Sequence, residues 1–303
     1  MTIDLLGDRL TAAVLREAFV EHTRRFSEWA IRLGAPPAVL SMRLNNLVDA
    51  GLMVRRPYPS SSERYDYALT ELGMATWEFL VSAWAWEREW SAEGAIQPEL
   101  VHLDCGHRGP PALMCRHCDR TVTVGDVAVE RNIESLVIAA GNGRRRPSRR
   151  TASPVNRADL QFTQVMEAIG DRWSALITGL ALSGVRRFGE FQSILGISPT
   201  TLTDRLSRLT DARILLHSIG RREYALTPSG RGLFGIFAFL ISWAQLAYPD
   251  TTWNGPRLHH RRCGSELAPA LKCRGCNHVM LRTSVRFEPP PWLGADRSTP
   301  KVG

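Results

Sequence analysis

The chain has 303 residues, of which 44% are hydrophobic, a content ordinary for a globular protein with about two domains. Its longest apolar run, Leu233 to Leu246, is shorter than the roughly 20 residues of a membrane span, so we expect no membrane partner. The net charge of +8 comes almost wholly from arginine and favours a polyanionic partner.

The first elements of the chain return later in the same order, which divides the sequence into two similar halves. The run Leu6-Gly7-Asp8-Arg9 returns as Ile169-Gly170-Asp171-Arg172. Farther on, Tyr67-x-Leu69-Thr70 returns as Tyr224-x-Leu226-Thr227. The repeat covers nearly the whole chain and predicts a tandem of two modules. The opening Met-Thr-Ile-Asp lacks the basic and apolar regions of a signal peptide, and we expect a cytoplasmic protein.

Four tryptophans, Trp77, Trp84, Trp86 and Trp90, line the helix that closes the first half, and Trp243 lies on its counterpart. At these spacings they cover more than one helix face. They either pack the two halves together or wall a small-molecule pocket, and no residue identifies an effector.

All six cysteines fall in two segments with the same spacing, His-x2-Cys-x9-Cys-x2-Cys, offset by 158 residues. Structural zinc takes four Cys or His ligands in a tetrahedron, and an x2 spacing lets one tight turn present two of them. Each segment therefore predicts one structural zinc site of its own. The ligands are His102, Cys105, Cys115 and Cys118 in the first half, and His260, Cys263, Cys273 and Cys276 in the second.

Disulfides are the plain alternative for these cysteines. Three cysteines in each half would leave one thiol of each half unpaired, and the cytoplasm is a reducing environment in which disulfides are rare. Metal-free thiols, an iron or redox site, and a weakly binding ribbon stay open. His107 and His259 are competing ligands. A catalytic zinc is not expected because each site has four ligands and no general-base motif accompanies it.

The segment between the halves holds five arginines between Arg144 and Arg150, among Gly, Pro and Ser. Such composition predicts a flexible linker. The arginines either form a solvated spacer or lie along DNA phosphates.

The second half has a clear order of elements. Apolar spacing predicts a helix from Phe162 to Ser183 and a short one after Arg187. A third helix starts at Pro199 with Ser198 as its N-cap and runs to about Ala212. Strands at 214–219 and 223–226 follow, joined by the turn Gly220-Arg221-Arg222, and a last helix runs over 228–247.

Three helices followed by a basic hairpin form a winged helix-turn-helix, whose third helix can enter the major groove of double-stranded DNA while the hairpin reaches the backbone. Exposed polar residues on the third helices and wings are the candidate DNA contacts. They are Ser41, Arg43, Asn45, Asn46, Arg55, Arg56 and Arg64 in the first half, and Thr200, Thr201, Thr203, Asp204, Arg205, Arg208, Arg221 and Arg222 in the second.

Four motifs of the second half occur in a fixed order. They are Ile169-Gly170-Asp171-Arg172-Trp173, Arg187-Phe188-Gly189-Glu190-Phe191, Ile197-Ser198-Pro199-x2-Leu202-x2-Arg205-Leu206 and Tyr224-x-Leu226-Thr227-Pro228-x-Gly230. In these motifs the second half resembles the HxlR-type bacterial transcriptional regulators. The first half matches more loosely. Family members usually form dimers through their terminal helices, and the resemblance implies that two modules in one chain could form that dimer internally.

The sequence thus predicts a mainly α fold of the α+β kind, with two winged helix-turn-helix modules in tandem, each with a small Cys/His ribbon. The expected units are a shortened first module (1–96), ribbon 1 (97–131), a linker (132–159), module 2 (160–250), ribbon 2 (251–288) and a mobile tail (289–303). The expected function is sequence-specific DNA-binding regulation, as a repressor acting at the nucleoid, without enzyme activity. The alternative is a protein-interaction scaffold. A small-molecule effector and a further homodimer stay open as partners.

Overall fold

A computed structural model of the chain describes residues 5–58, 61–92, 94–130, 162–218, 220–248 and 254–289. The side chains of residues 58 and 61–64 are outside this description. The whole predicted linker, 132–159, with its arginines, and nearly all of the predicted tail also lie outside the described residues.

The first half contains five helices and five strands within the described part. They are α1 (Arg9–Val20), α2 (Phe26–Leu33), α3 (Pro37–Asp49), β1 (Met53–Tyr58), β2 (Ser61–Leu69), α4 (Glu71–Met74), α5 (Trp77–Trp90), β3 (Glu99–His102), β4 (Ala112–Cys115) and β5 (Val127–Glu130).

The second half repeats this order after one additional short helix. Its elements are α6 (Val165–Ile169), α7 (Arg172–Leu182), α8 (Phe188–Leu195), α9 (Pro199–Asp211), β6 (Leu215–Ser218), β7 (Glu223–Leu226), α10 (Pro228–Gly232), α11 (Phe234–Ala247), β8 (Arg257–His260), β9 (Pro269–Lys272) and β10 (Val285–Glu288).

Two predicted helices are each broken in two. The helix expected from Phe162 to Ser183 stops at Ile169, and α7 begins after Asp171, whose carboxylate accepts hydrogen bonds from the backbone of Trp173 and Ser174 at 3.0 and 3.2 Å. An N-cap of this kind starts a new helix because it satisfies free N–H groups. The helix expected over 228–247 is likewise split at Leu233.

Each module buries one face of its third helix. The buried face of α3 consists of Leu40, Leu44 and Leu47, which are fully buried. That of α9 consists of Leu202, Leu206 and Leu209, which are at most 1% exposed. These leucines recur at helical spacing and leave the opposite face to solvent. The β1·β2 and β6·β7 hairpins follow the third helices as antiparallel wings. The predicted class of two winged helix-turn-helix modules is confirmed.

The two closing helices, α5 and α11, pack against each other across the halves. The indole N–H of Trp86 donates to the Ser229 carbonyl at 2.8 Å, and that of Trp243 donates to the Leu72 carbonyl at 3.0 Å. The two bonds are equivalent, because the donors Trp86 and Trp243 are 157 residues apart and the acceptors Leu72 and Ser229 are 157 residues apart as well. The contact is therefore reciprocal, as in a symmetric dimer interface.

The segment Pro228–Ala247 is long and apolar enough by composition to cross a membrane, yet 56% of its apolar 18-residue window is buried inside the protein. It packs on α5 and on the ribbon strand β9. This is the environment of a core helix.

Among the described residues, the ribbon strands pair with one another only across the halves. β3 pairs with β10, β5 with β8, and β4 with β9, all antiparallel. Each two-stranded sheet of the predicted ribbons, 97–131 and 251–288, therefore contains one strand from each half.

The register of these strands is symmetric. In the β4·β9 pair Leu113 lies opposite Leu271, its own counterpart 158 residues later, and Ala112 opposite Lys272 mirrors Met114 opposite Ala270. The β3·β10 and β5·β8 registers are related by the same offset. A local twofold axis thus passes beside Leu113 and Leu271.

The cross-half indole bonds can be tested with Trp86→Phe. Loss of one hydrogen bond, together with a smaller buried ring, should lower the free energy of unfolding of the full chain by about 1–3 kcal/mol. Urea unfolding measures the change.

The matched control is Trp90→Phe on the same helix, because Trp90 is 37% exposed. It should cost less than about 0.5 kcal/mol. Equal stability of the two variants would contradict a structural role for the Trp86 indole.

Candidate DNA-reading surfaces and metal centres

The outer face of α9 carries most of the polar residues predicted for the second module. Thr200, Thr203, Asp204 and Arg208 are exposed. Thr201 is half-buried, and its hydroxyl lies 2.8 Å from that of the N-cap Ser198. Arg208 and Asp204 form an ion pair one helical turn apart, at 3.2 Å. This face offers donors and acceptors of the kind that read base edges.

The corresponding face of α3 is less polar. Ser41, Asn45 and Asn46 are half-buried, while the exposed large side chain among them is Met42, at 48%. The two candidate reading surfaces therefore differ in chemistry although they share one scaffold.

Arg43 and Arg205 occupy equivalent positions on the third helices and face inward. Arg43 Nη2 lies 2.8 Å from Asp8 Oδ1, and Arg205 Nε lies 3.1 Å from Asp171 Oδ1. Both arginine side chains are only 17% exposed. The two aspartates cap the first long helix of each module, so each ion pair fixes the third helix to that helix.

The wings present exposed arginines in both modules. Arg55 and Arg56 are exposed on β1, and Arg221 and Arg222 are exposed in the turn between β6 and β7. The Arg55 guanidinium lies 5.9 Å from the Tyr67 ring centre and donates to the Asn45 side chain. The side chain of Arg64 lies outside the described part of the chain.

Sequence reasoning did not nominate two basic pairs, Arg24-Arg25 and Arg186-Arg187, which precede α2 and α8. All four residues are exposed. Their backbone joins the wings, since Tyr67 N–H donates to the Arg24 carbonyl at 2.9 Å and Tyr224 N–H to the Arg186 carbonyl at 2.8 Å. The signal was available in the sequence, because the pair recurs at the same place in both halves.

The eight predicted metal ligands do form two clusters, but the expectation of one self-contained site in each half is wrong. Cluster 1 consists of His102, Cys105, Cys273 and Cys276, and cluster 2 consists of Cys115, Cys118, His260 and Cys263. Each cluster takes the His-x2-Cys pair of one half and the Cys-x2-Cys pair of the other. The physical reason is the pairing of the ribbon strands across the halves, which brings the end of β3 to β10 and the end of β8 to β5.

The geometry of both clusters fits a tetrahedral metal ion. Ligand atoms in each lie within 4.8 Å of one another. In cluster 1 the Nδ1 of His102 lies 3.3 Å from Cys105 Sγ and 3.4 Å from Cys276 Sγ. In cluster 2 the distances from His260 Nδ1 to Cys263 and Cys118 are 3.3 and 3.4 Å. Zinc bonds of about 2.0–2.3 Å would place tetrahedral neighbours roughly 3.3–3.8 Å apart.

Backbone hydrogen bonds favour the thiolate form at two of the ligands, Cys263 and Cys273. A hydrogen bond from the Ser265 backbone is the main cause that lowers the pKa of the Cys263 thiol to about 6. The Gly275 N–H also donates to Cys273 Sγ, at 3.4 Å. Such bonds favour the thiolate, which is the form that binds metals.

The competing histidines lie outside both clusters. His259 Nε2 lies 2.9 Å from Glu130 Oε2 across the halves. His107 packs over Gly275, where an added Cβ would lie 2.8 Å from the His107 Cβ.

The tryptophans of α5 face the core and the interface between the halves. Trp77, Trp84 and Trp86 are at most 7% exposed. A cavity of about 30 Å³ lies between Trp77, Trp84 and Phe287. This volume suits a water molecule or two rather than an organic effector.

The inward-facing arginines can be tested with Arg205→Ala. It removes the partner of the half-buried Asp171, and we expect a loss of about 1–2 kcal/mol in the free energy of unfolding. Thermal and urea unfolding of the full chain measure it.

Arg208→Ala is the matched control, because its side chain is 54% exposed and its ion pair with Asp204 is solvated. Its cost should stay below about 0.5 kcal/mol. If Arg208→Ala were as destabilising as Arg205→Ala, the ion pair with Asp171 would not be what stabilises the position of α9.

This chain is similar to known proteins in both sequence and structure comparisons. It is 40% identical over 129 residues to "Uncharacterized HTH-type transcriptional regulator Rv3095" of Mycobacterium tuberculosis and to Mb3122, of the same description, from Mycobacterium bovis. These matches cover 42% of this chain and 81% of each relative. Each relative is therefore about half as long as this chain. A solved structure from Pseudomonas aeruginosa, PA1374, is 32% identical, covering 37% of this chain and 76% of that one, with a TM-score of 0.31.

The sequence pattern of one family matches both modules. It spans residues 5–95 and 168–251, which together are more than half of the chain and include both third helices and both wings. The chain belongs to the HxlR-like helix-turn-helix family of transcriptional regulators, in a form that carries the family module twice.

Proposed function

We propose that the protein is a sequence-specific regulator that binds double-stranded DNA with both modules of one chain, as an intrachain pseudo-dimer. The observation that carries the proposal is the reciprocal contact between the closing helices. Trp86 and Trp243 each donate to the opposite module at equivalent positions, as two subunits of a dimer would. The relatives named as regulators, each about half as long, agree with this arrangement.

The operator should contain two unequal half-sites. A symmetric dimer favours a palindrome because its two reading helices are the same. Here α9 presents exposed Thr200, Thr203 and Arg208, whereas α3 presents Met42 among half-buried polar residues. The exposed wing arginines and the two basic pairs supply phosphate contacts that add affinity without sequence information.

The remaining candidate contacts have distinct roles in this proposal. Ser41, Asn45 and Asn46 would read bases or phosphates from α3. Thr201 and Asp204 would shape the reading surface of α9. Arg43 and Arg205 would position the reading helices through Asp8 and Asp171.

We propose repression as the mode of regulation, since a two-headed protein bound across a promoter excludes polymerase by occupancy alone. Such a protein works on the nucleoid in the cytoplasm. Two zinc ions would have a structural role, because both clusters offer four ligands and no open coordination position.

Operator spacing gives the sharpest test. DNA recovered by genome-wide mapping of binding sites should lose at least about tenfold in affinity when 5 base pairs are inserted between its half-sites, which puts them on opposite faces of the helix. A 10-base-pair insertion should also weaken binding, because the packed closing helices fix the separation of the reading helices. Fluorescence anisotropy measures the affinity.

Substitutions then assign the half-sites. Arg208→Ala should weaken binding to one half-site and leave the other unchanged, and Met42→Ala should do the reverse.

A steep fall of affinity with salt is expected from phosphate contacts. An affinity that does not change with the spacing between the half-sites would contradict the pseudo-dimer. If the full chain binds no DNA in preference to random sequence, the proposal fails in favour of a protein-interaction scaffold.

A further inference from the structure

Each metal cluster draws its four ligands equally from the two halves of the chain. We propose that the two metal ions are clasps between the halves, and that metal occupancy controls binding to a two-half-site operator. The first part stands on the ligand geometry, and the second part rests on the proposed function.

The first step is that neither half can close a cluster alone. Cys105 of the first half lies 3.6 Å from Cys273 of the second, and Cys276 lies 3.4 Å from His102. In cluster 2, Cys118 and His260 meet in the same way at 3.4 Å. A metal ion at either place is bonded to both halves.

The second step is that the ribbons depend on this closure. Their described strands, β3–β5 and β8–β10, have four residues each and pair only two by two. Small units of this kind commonly gain stability from a metal ion or from packing on another part of the protein. Metal binding therefore supplies the free energy that keeps the strands of the two halves together.

The third step connects the clasps to the modules. The Phe287 ring of the second half contacts the Trp77 and Trp84 rings on α5 of the first, with centres 6.0 and 5.2 Å apart. Conversely, Cys115 and Val127 of the first half share a buried cluster with Phe234 of α11. Each closing helix thus packs on a strand from the other half.

The consequence is that metal loss removes support from both closing helices at once. The α5·α11 contact would then be the main described link between the halves, and the separation of the reading helices would loosen. Binding to a single half-site needs only one module, so it should be nearly independent of metal. Binding to two half-sites at fixed spacing should depend on it.

Paired substitutions in the full chain test the clasp. Zinc that resists a competing chelator is counted by native mass spectrometry. Cys105→Ser with Cys276→Ser disrupts cluster 1 alone, so one zinc should remain. Cys105→Ser with Cys118→Ser disrupts both clusters, so no resistant zinc should remain. The unaltered chain should hold two.

If each half instead held its own ion, the two results would be exchanged, and that exchange would overturn the proposal. The two variants are matched, because each replaces two cysteines by serines and shares Cys105→Ser. If both lose all zinc through misfolding, cadmium-113 NMR of the unaltered chain decides. One cadmium signal coupled to Cys105 and Cys273 supports the clasp, and coupling to Cys105 and Cys115 refutes it.

Regulation is tested with the same proteins on DNA. Removing metal from the unaltered chain should lower its affinity for the two-half-site operator at least about tenfold and change its affinity for a single half-site less than about threefold. Equal affinity for the operator with and without metal would refute the proposal that metal occupancy controls DNA binding. Absence of specific DNA binding by the metal-loaded chain would refute the proposed function and leave the zinc counts unaffected.

Discussion

The antiparallel pairing of Ala112–Cys115 with Pro269–Lys272 is the constraint on which the rest of the arrangement depends. Its register puts Leu113 opposite its own counterpart Leu271, so the strand pairs and the Cys/His clusters on either side are related by twofold symmetry. With that axis in place, each His-x2-Cys pair meets the Cys-x2-Cys pair of the other half, and each closing helix meets a strand from the other half. The two metal clusters and the helix interface are therefore parts of one symmetric junction.

The junction is connected to the candidate DNA-reading surfaces through packed contacts inside each module. The leucine face of the third helix packs into the module core, and an Asp–Arg ion pair ties the same helix to the first long one. Arginine is suited to this role because its planar guanidinium binds a carboxylate with fixed geometry. Exposed arginines of the wings and of the pairs before α2 and α8 surround the reading helices with positive charge.

The sequence was sufficient to predict the modules, because leucine spacing, the Ser198 cap and the basic turn are local signals. It also named all eight cluster residues. It could not group them correctly, since a repeat of 158 residues gives the same ligand spacing whether each half closes its own site or exchanges partners. The inward direction of Arg43 and Arg205 was likewise hidden, because it depends on aspartates 35 and 34 residues away.

The exchange of strands sets an order on folding. Cys105 is separated from Cys273 by 168 residues. At roughly 5–20 residues per second, a ribosome needs about 10–30 s to add that length. During this interval the first module can already pack its own helices. Its ribbon still lacks the three strands with which it pairs, and each Cys/His cluster still lacks two of its four ligands. Long sequence separation makes such contacts slow to form. The ribbons can therefore close only after the second half of the chain has been made.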